Sequence, residues 1–299
     1  NNGLLGGGAA TADGLKITGM LSQGNNSEGF NRAPVSGAFK VGRSRGVSIT
    51  DSAFVENQGQ GPWFDESVYN ITFTGNDVIG NTGNGLVLEL SERAVVADNI
   101  VAKNALSGIL IANSGNVQVW NNTVVGNTRN INVSMDKRRA SDTSAAGHDR
   151  RQPVPDPTVP WITRNTVISN NVVSNGSGNC VVCVEDYSRM YTGAQMVSAT
   201  NNNLYQRVSA TAPTWFGVWS RGTIVNPSVF KTPAEFSAST GHERGSRFID
   251  GGASLVTPRF ILAPEHAASQ GATAQAVPST VAAVSRLKSG TRTLGAPQR

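Results

Sequence analysis

The sequence predicts an all-β chain folded as a parallel β-helix. Three observations carry this: a composition poor in charge, a repeat of 23 to 24 residues, and asparagines recurring where that repeat turns. Only 15% of the 299 residues are charged and 6% are aromatic, whereas Gly occurs 33 times. An average globular protein has roughly 25% charged residues. Helices would want Ala, Leu, Glu and Lys where this chain offers Gly, Asn and scattered Val and Ile. Length alone allows one or two domains.

The repeat shows in four columns. Gly37, Gly61, Gly85 and Gly108 fall at intervals of 24, 24 and 23 residues. Ser52, Asn76, Asn99 and Asn122 follow at 24, 23 and 23, as do Asn57, Asn81, Asn104 and Asn127. An apolar column reads Val47, Ile71, Val95, Val117. A leucine-rich repeat shares this period, but its fixed Leu pattern is missing. The coils instead hold short strands such as Val47-Ser48-Ile49 and Gly85-Leu86-Val87-Leu88. Asn suits the turns because it tolerates left-handed backbone and bonds its own main chain. Stacked turns place amide on amide, as in cross-β ladders. Each amide is expected to contribute about one hydrogen bond, roughly 0.5–1.5 kcal/mol.

Later coils are less regular. Lys137 to Pro160 carries four prolines and reads as an inserted loop. The coils resume at Asn165–Asn175 and end with Val197–Asn201 and the Trp215–Trp219 run. Phe230 to Gly241 reads as a short helix or irregular cover. Residues 1–260 are therefore expected to form the β-helix with 137–160 inserted, and 261–299 an extended tail packed on or beyond it.

The formal charge of +5 is concentrated at Lys137, Arg138, Arg139, Arg150 and Arg151, and again at Arg286, Lys288, Arg292 and Arg299. No aromatic interleaving and no recognisable module accompany these charges, so nucleic acid is not an expected partner. The charge suits solubility or attraction to an anionic glycan. Cys180 and Cys183 make neither a disulfide framework nor a complete metal site. Residues three apart on a strand point to opposite faces, so the pair reads as two small strand residues. No run of 18 apolar residues is present to span a membrane. The chain opens on Asn1-Asn2-Gly3 rather than on a signal peptide; the expectation is a secreted or cell-surface protein with its leader removed.

The run Gly61-Pro62-Trp63-Phe64-Asp65-Glu66-Ser67, with Gly85-Leu86-Val87-Leu88-Glu89-Leu90-Ser91 one coil later, resembles bacterial right-handed parallel β-helix repeat proteins of the pectate-lyase-like superfamily. Phe236 through Thr240-Gly241-His242-Glu243, and the closing Leu294-Gly295-Ala296, resemble the same group. The resemblance covers nearly the whole chain. It implies a partner that is a polysaccharide, possibly acidic, and an activity among lyases, glycoside hydrolases and epimerases. It also admits Ca2+, although no cofactor is evident in the residues. The fold does not choose among these activities. An Asp-Pro-His of the alginate-epimerase type is missing, as is the paired Asp-Asp with Gly-His of polygalacturonases.

Alternation places the candidate chemistry. Leu86 and Leu88 point inward, so Val87 and Glu89 point outward; one coil earlier Trp63 and Asp65 point outward. Phe39 and Val41 point inward, which turns Lys40 out and puts it in the Asp65 column. Lys40, Asp65 and Glu89 thus form one exposed row, stacked about 4.8 Å apart. Two carboxylates at about 5 Å cannot both ionise cheaply, so one would be raised and could serve as an acid. A spacing of about 5–5.5 Å fits retaining hydrolysis. Lys40, Asp65 and Glu89 are the catalytic candidates, with Trp63 as a platform for a sugar ring. Glu66, Arg129, Asp136, Arg138 and Arg139 are candidates for substrate binding, the last two for a uronate carboxylate. The competing reading is a non-catalytic β-helix that binds glycan or serves as a surface or fibre scaffold, with Lys40 and Asp65 as an ion pair. Exposed pairs of that kind contribute about 0–1 kcal/mol. His148, His242 and His266 lack partners at ligand spacing, so no metal site is expected.

Overall fold

The structure, a computed structural model, describes residues 7–31, 36–269 and 273–297. The opening Asn1-Asn2-Gly3 and the final Arg299 lie outside the described residues. The fold is all-β, with its strands in three largely parallel sheets. One coil runs Gln60–Asp65, Tyr69–Thr74, Asp77–Ile79; the next runs Leu86–Glu89, Glu92–Ala97, Ile100–Ala102. Each coil gives one strand to each sheet, and strands pair with their equivalents one coil away. The exception is Ser228–Phe230, which pairs antiparallel with Trp215–Trp219 at the end of the first sheet.

The glycine column exists because backbones meet there. A Cβ on Gly61 would lie 2.1 Å from the Gly85 carbonyl oxygen, and one on Gly85 would lie 2.5 Å from that of Gly108. Gly37 does not join the column, since it pairs with Gln60. The apolar column also shifts by one residue: Ile71 stacks on Ala94 and Val117, while Val95 pairs with Thr72 and Gln118 and is half-buried.

Both asparagine columns form ladders. Asn57, Asn81, Asn104 and Asn127 are buried; the first three amides each donate to the next coil's side-chain oxygen and to a strand carbonyl, as Asn81 does to Asn104 and Phe54, and Asn127 closes the ladder on Asn130. The second ladder runs Asn76, Asn99, Asn122, Asn171, Asn203, stepping over the insertion between Asn122 and Asn171. It ends at Glu243, a fully buried carboxylate that accepts hydrogen bonds from Tyr205, Thr200 and Ser246. Burial raises the Glu243 carboxyl above its ordinary range, against the pull of those donors.

Inside the coils, Phe54, Phe64, Phe73, Leu86, Leu88, Ile109 and Ile111 are fully buried in one continuous core. The helix Pro233–Thr240 lays Phe236 across its far end, against Phe216, Trp219 and Phe230.

Residues 137–160 fold back over the turns that join the first sheet to the second. Val159, Trp161 and Ala140 are buried there with Leu90, and the Trp161 indole donates to Ser67. Arg151 pairs with Asp13, and Arg45 pairs with Asp156. On the opposite turns, residues 273–297 run back along the coils: Gln275 exchanges hydrogen bonds with Asn170, Asn121 donates to the Thr293 carbonyl, and Arg286 pairs with Asp51.

Cys180 and Cys183 form a disulfide, contrary to the reading of two unlinked strand residues. Simple alternation fails locally. Val181 and Val182 both enter the core, so the cysteines on either side of them reach the same outer face.

Candidate functional site

The outer face of the first sheet carries the charged row, in a register that differs from the one expected. Lys40 pairs with Trp63, and Gly42 pairs with Asp65, because this coil step is 23 residues, where stacking Lys40 on Asp65 would have needed 25. Lys40 therefore reaches Asp65 diagonally, with Nζ 2.8 Å from Oδ2. It also lies over the Trp63 ring, 3.8 Å from the centroid. The Trp63 indole N–H donates to Glu89 at 3.0 Å. Glu89 in turn meets Arg138 at 2.6 Å, and Arg138 grips Asp136 at 2.7 Å.

Six of the nine candidates thus form one chain of contacts: Lys40, Asp65, Trp63, Glu89, Arg138 and Asp136. The other three add no ion pair to it. Glu66 turns to Arg43 at 2.8 Å. Arg129 binds Glu185 and the Asn179 side chain. Arg139 donates to the Asp136 and Arg138 carbonyls and to Ser188, and stands beside the Tyr191 ring.

The row is not an open face. The side chains of Lys40 and Asp65 are only 10% and 9% exposed, because the Trp63 ring and the paired partners cover them. Burial raises the Glu89 carboxyl above its ordinary range; the Asp65 charge adds to this and Arg138 opposes it. For Asp136 burial also works upward, but the hydrogen bonds and charge of Arg138 outweigh it, and the carboxyl lies below its ordinary range. One face of the Trp63 ring is occupied by an ammonium, and its N–H is already spent.

Glu185 escaped the reading from sequence. It pairs with Ser134 in the column that continues from Asp65 and Glu89 through Ala112. The alternation in Val182-Cys183-Val184-Glu185 carried that signal, but the long insertion before it broke the count of the repeat.

Residues 8–142 match the family model described as "Periplasmic copper-binding protein (NosD)". That is a parallel β-helix family, in keeping with the parallel sheets described above. This chain is a right-handed parallel β-helix protein. No curated protein and no solved structure matches it.

The residues of this β-helix do not fit copper, which favours thiolate, thioether and imidazole donors. Both cysteines are locked in the disulfide, and Met135 and Met196 lie in the core. His148 stacks on Trp161 with Nε2 against the Asp142 carbonyl, and His242 lies beside Trp219. Among the described residues, no three of His, Cys, Asp or Glu gather as a metal site. The Ca2+ that the resemblance admitted is not supported either, because Asp65, Glu89 and Asp136 already hold cationic partners. No helix of the described residues is long and apolar enough to cross a membrane.

Proposed function

We propose that this β-helix is a non-catalytic glycan-binding scaffold that works outside the cytoplasm. One observation carries the reading: the carboxylates best placed for chemistry are closed into ion pairs, Asp65 with Lys40 and Glu89 with Arg138. An acid needs a proton to give and a base needs a free lone pair facing the substrate. Here those sites meet cations of the same chain. Beyond the row, half-buried Leu110, Asn132 and Trp215 continue along the same sheet and offer a glycan both apolar and amide contacts. The disulfide supports an oxidising compartment, and the matched family bears a periplasmic name.

A panel of neutral and acidic polysaccharides tests this. The wild-type chain is expected to be retained on at least one immobilised glycan while releasing no reducing ends and no unsaturated uronates. Cleavage by the wild type that vanishes in Glu89→Gln would establish a glycan-cleaving enzyme instead. That second reading is favoured by the raised Glu89 carboxyl next to Asp65. Absence of retention on every glycan would remove the glycan-binding claim.

A further inference from the structure

Beyond the charged row, the turn that follows Cys180–Asp186 faces the loop that follows Trp215–Trp219 across a cleft of about 170 Å3. Two carboxylates reach it, and both are satisfied from within. Glu185 accepts from Arg129 and from the Tyr187 hydroxyl. Asp186 accepts from the backbone N–H groups of Ser188, Met190 and Tyr191 and from the Ser188 hydroxyl.

Two cations line the same cleft without such partners. The guanidinium groups of Arg189 and Arg221 make no hydrogen bond or ion pair with any described residue. Apart from Ser220 the remaining wall is apolar and open to solvent, with Ile224 48% and Val225 62% exposed, and Tyr187 59% exposed beside them. A guanidinium fork matches a carboxylate in two parallel hydrogen bonds, which a spherical anion cannot use as well. An aromatic and aliphatic wall takes the flat face of a ring. At about 170 Å3 the cleft is smaller than the roughly 300–1,000 Å3 of drug-sized sites.

We propose that this cleft binds a small monocarboxylate carried on a ring, with the carboxylate held by Arg189 and Arg221 and the ring against Tyr187, Ile224 and Val225. The cleft lies apart from Lys40, Asp65 and Glu89, and the proposal does not depend on the glycan-binding reading.

Calorimetric titration of the full chain with benzoate and with D-galacturonate tests it and separates an aryl acid from a sugar acid. At least one of the two acids is expected to bind, more weakly as salt is added. Benzyl alcohol and galactose, which lack the carboxylate, should not bind. The double variant Arg189→Gln/Arg221→Gln should weaken binding at least about tenfold with its melting temperature unchanged. A remote double variant of equal charge loss, Arg150→Gln/Arg244→Gln, should bind as the wild type does. The proposal is overturned if neither acid binds, if the cleft variant keeps its affinity, or if the remote variant loses as much. It is also overturned if inorganic phosphate binds as tightly as the acids, which would mark a simple anion patch.

Discussion

A Leu88→Asp variant is expected to lose its cooperative melting transition. Leu88 is fully buried and stacks between Phe64 of the preceding coil and Ile111 of the following one. The new carboxylate would enter this core with no donor in reach, since the layers around it are Phe, Leu and Ile. An unpaired charge in such a place costs more than the roughly 5–15 kcal/mol that holds a domain together, unless the coil opens or the group takes up a proton. Coils of a solenoid stabilise one another mainly through their neighbours, so the damage should spread to the adjoining coils. Circular dichroism during a thermal scan reads the result. Melting like that of the wild type would place Leu88 on the outer face and reverse the assignment of every strand in the sheet.

Asn99→Ala is expected to cost roughly 3–6 kcal/mol in urea denaturation, well above the single hydrogen bond expected from sequence. The Asn99 amide donates to the Phe73 carbonyl and to the Asn122 side chain, both at 2.9 Å. Its oxygen accepts from the Asn76 backbone at 2.9 Å and from the Asn76 side chain at 3.2 Å. Asn99 is fully buried, so alanine would leave several of these groups without a partner and without water. Each stranded group costs about 1–3 kcal/mol. Asn25, half-buried in the first described coil, makes the comparison: water can replace its amide, so Asn25→Ala should cost clearly less. Equal, small losses in both variants would mean that the ladder adds little beyond the sheets.

The fold was legible in the sequence because one constraint repeats in each coil. Asn at a stacked left-handed turn and Gly at a backbone contact leave a visible period, and positions 76, 81, 99 and 104 keep it. Register was less legible, since a coil step of 23 or 24 residues is absorbed in turns that carry no mark. A slip of two residues moved Lys40 from the Asp65 column to the Trp63 column. A separate slip of one residue put Val95 in place of Ala94. The disulfide was hidden because alternation presumes a regular strand, and Val181-Val182 breaks it. The members of the candidate site were legible by type, but their partners were not. Arg138 is brought to Glu89 by the irregular chain that leaves the strand after Met135, and no period encodes that.

The central claim is that the charged row ties the coils together rather than working on a substrate. A double-mutant cycle on Lys40 and Asp65 measures this most directly. The pair is nearly buried, so the 0–1 kcal/mol of an exposed pair no longer applies. Breaking a buried pair from one side strands the other charge, which typically costs about 3–5 kcal/mol. Lys40→Met and Asp65→Asn are each expected to destabilise the chain by about 3 kcal/mol, and the double variant by clearly less than the sum. Single variants as stable as the wild type or more so, with additive effects in the double variant, would contradict the claim and return the row to the candidates for chemistry.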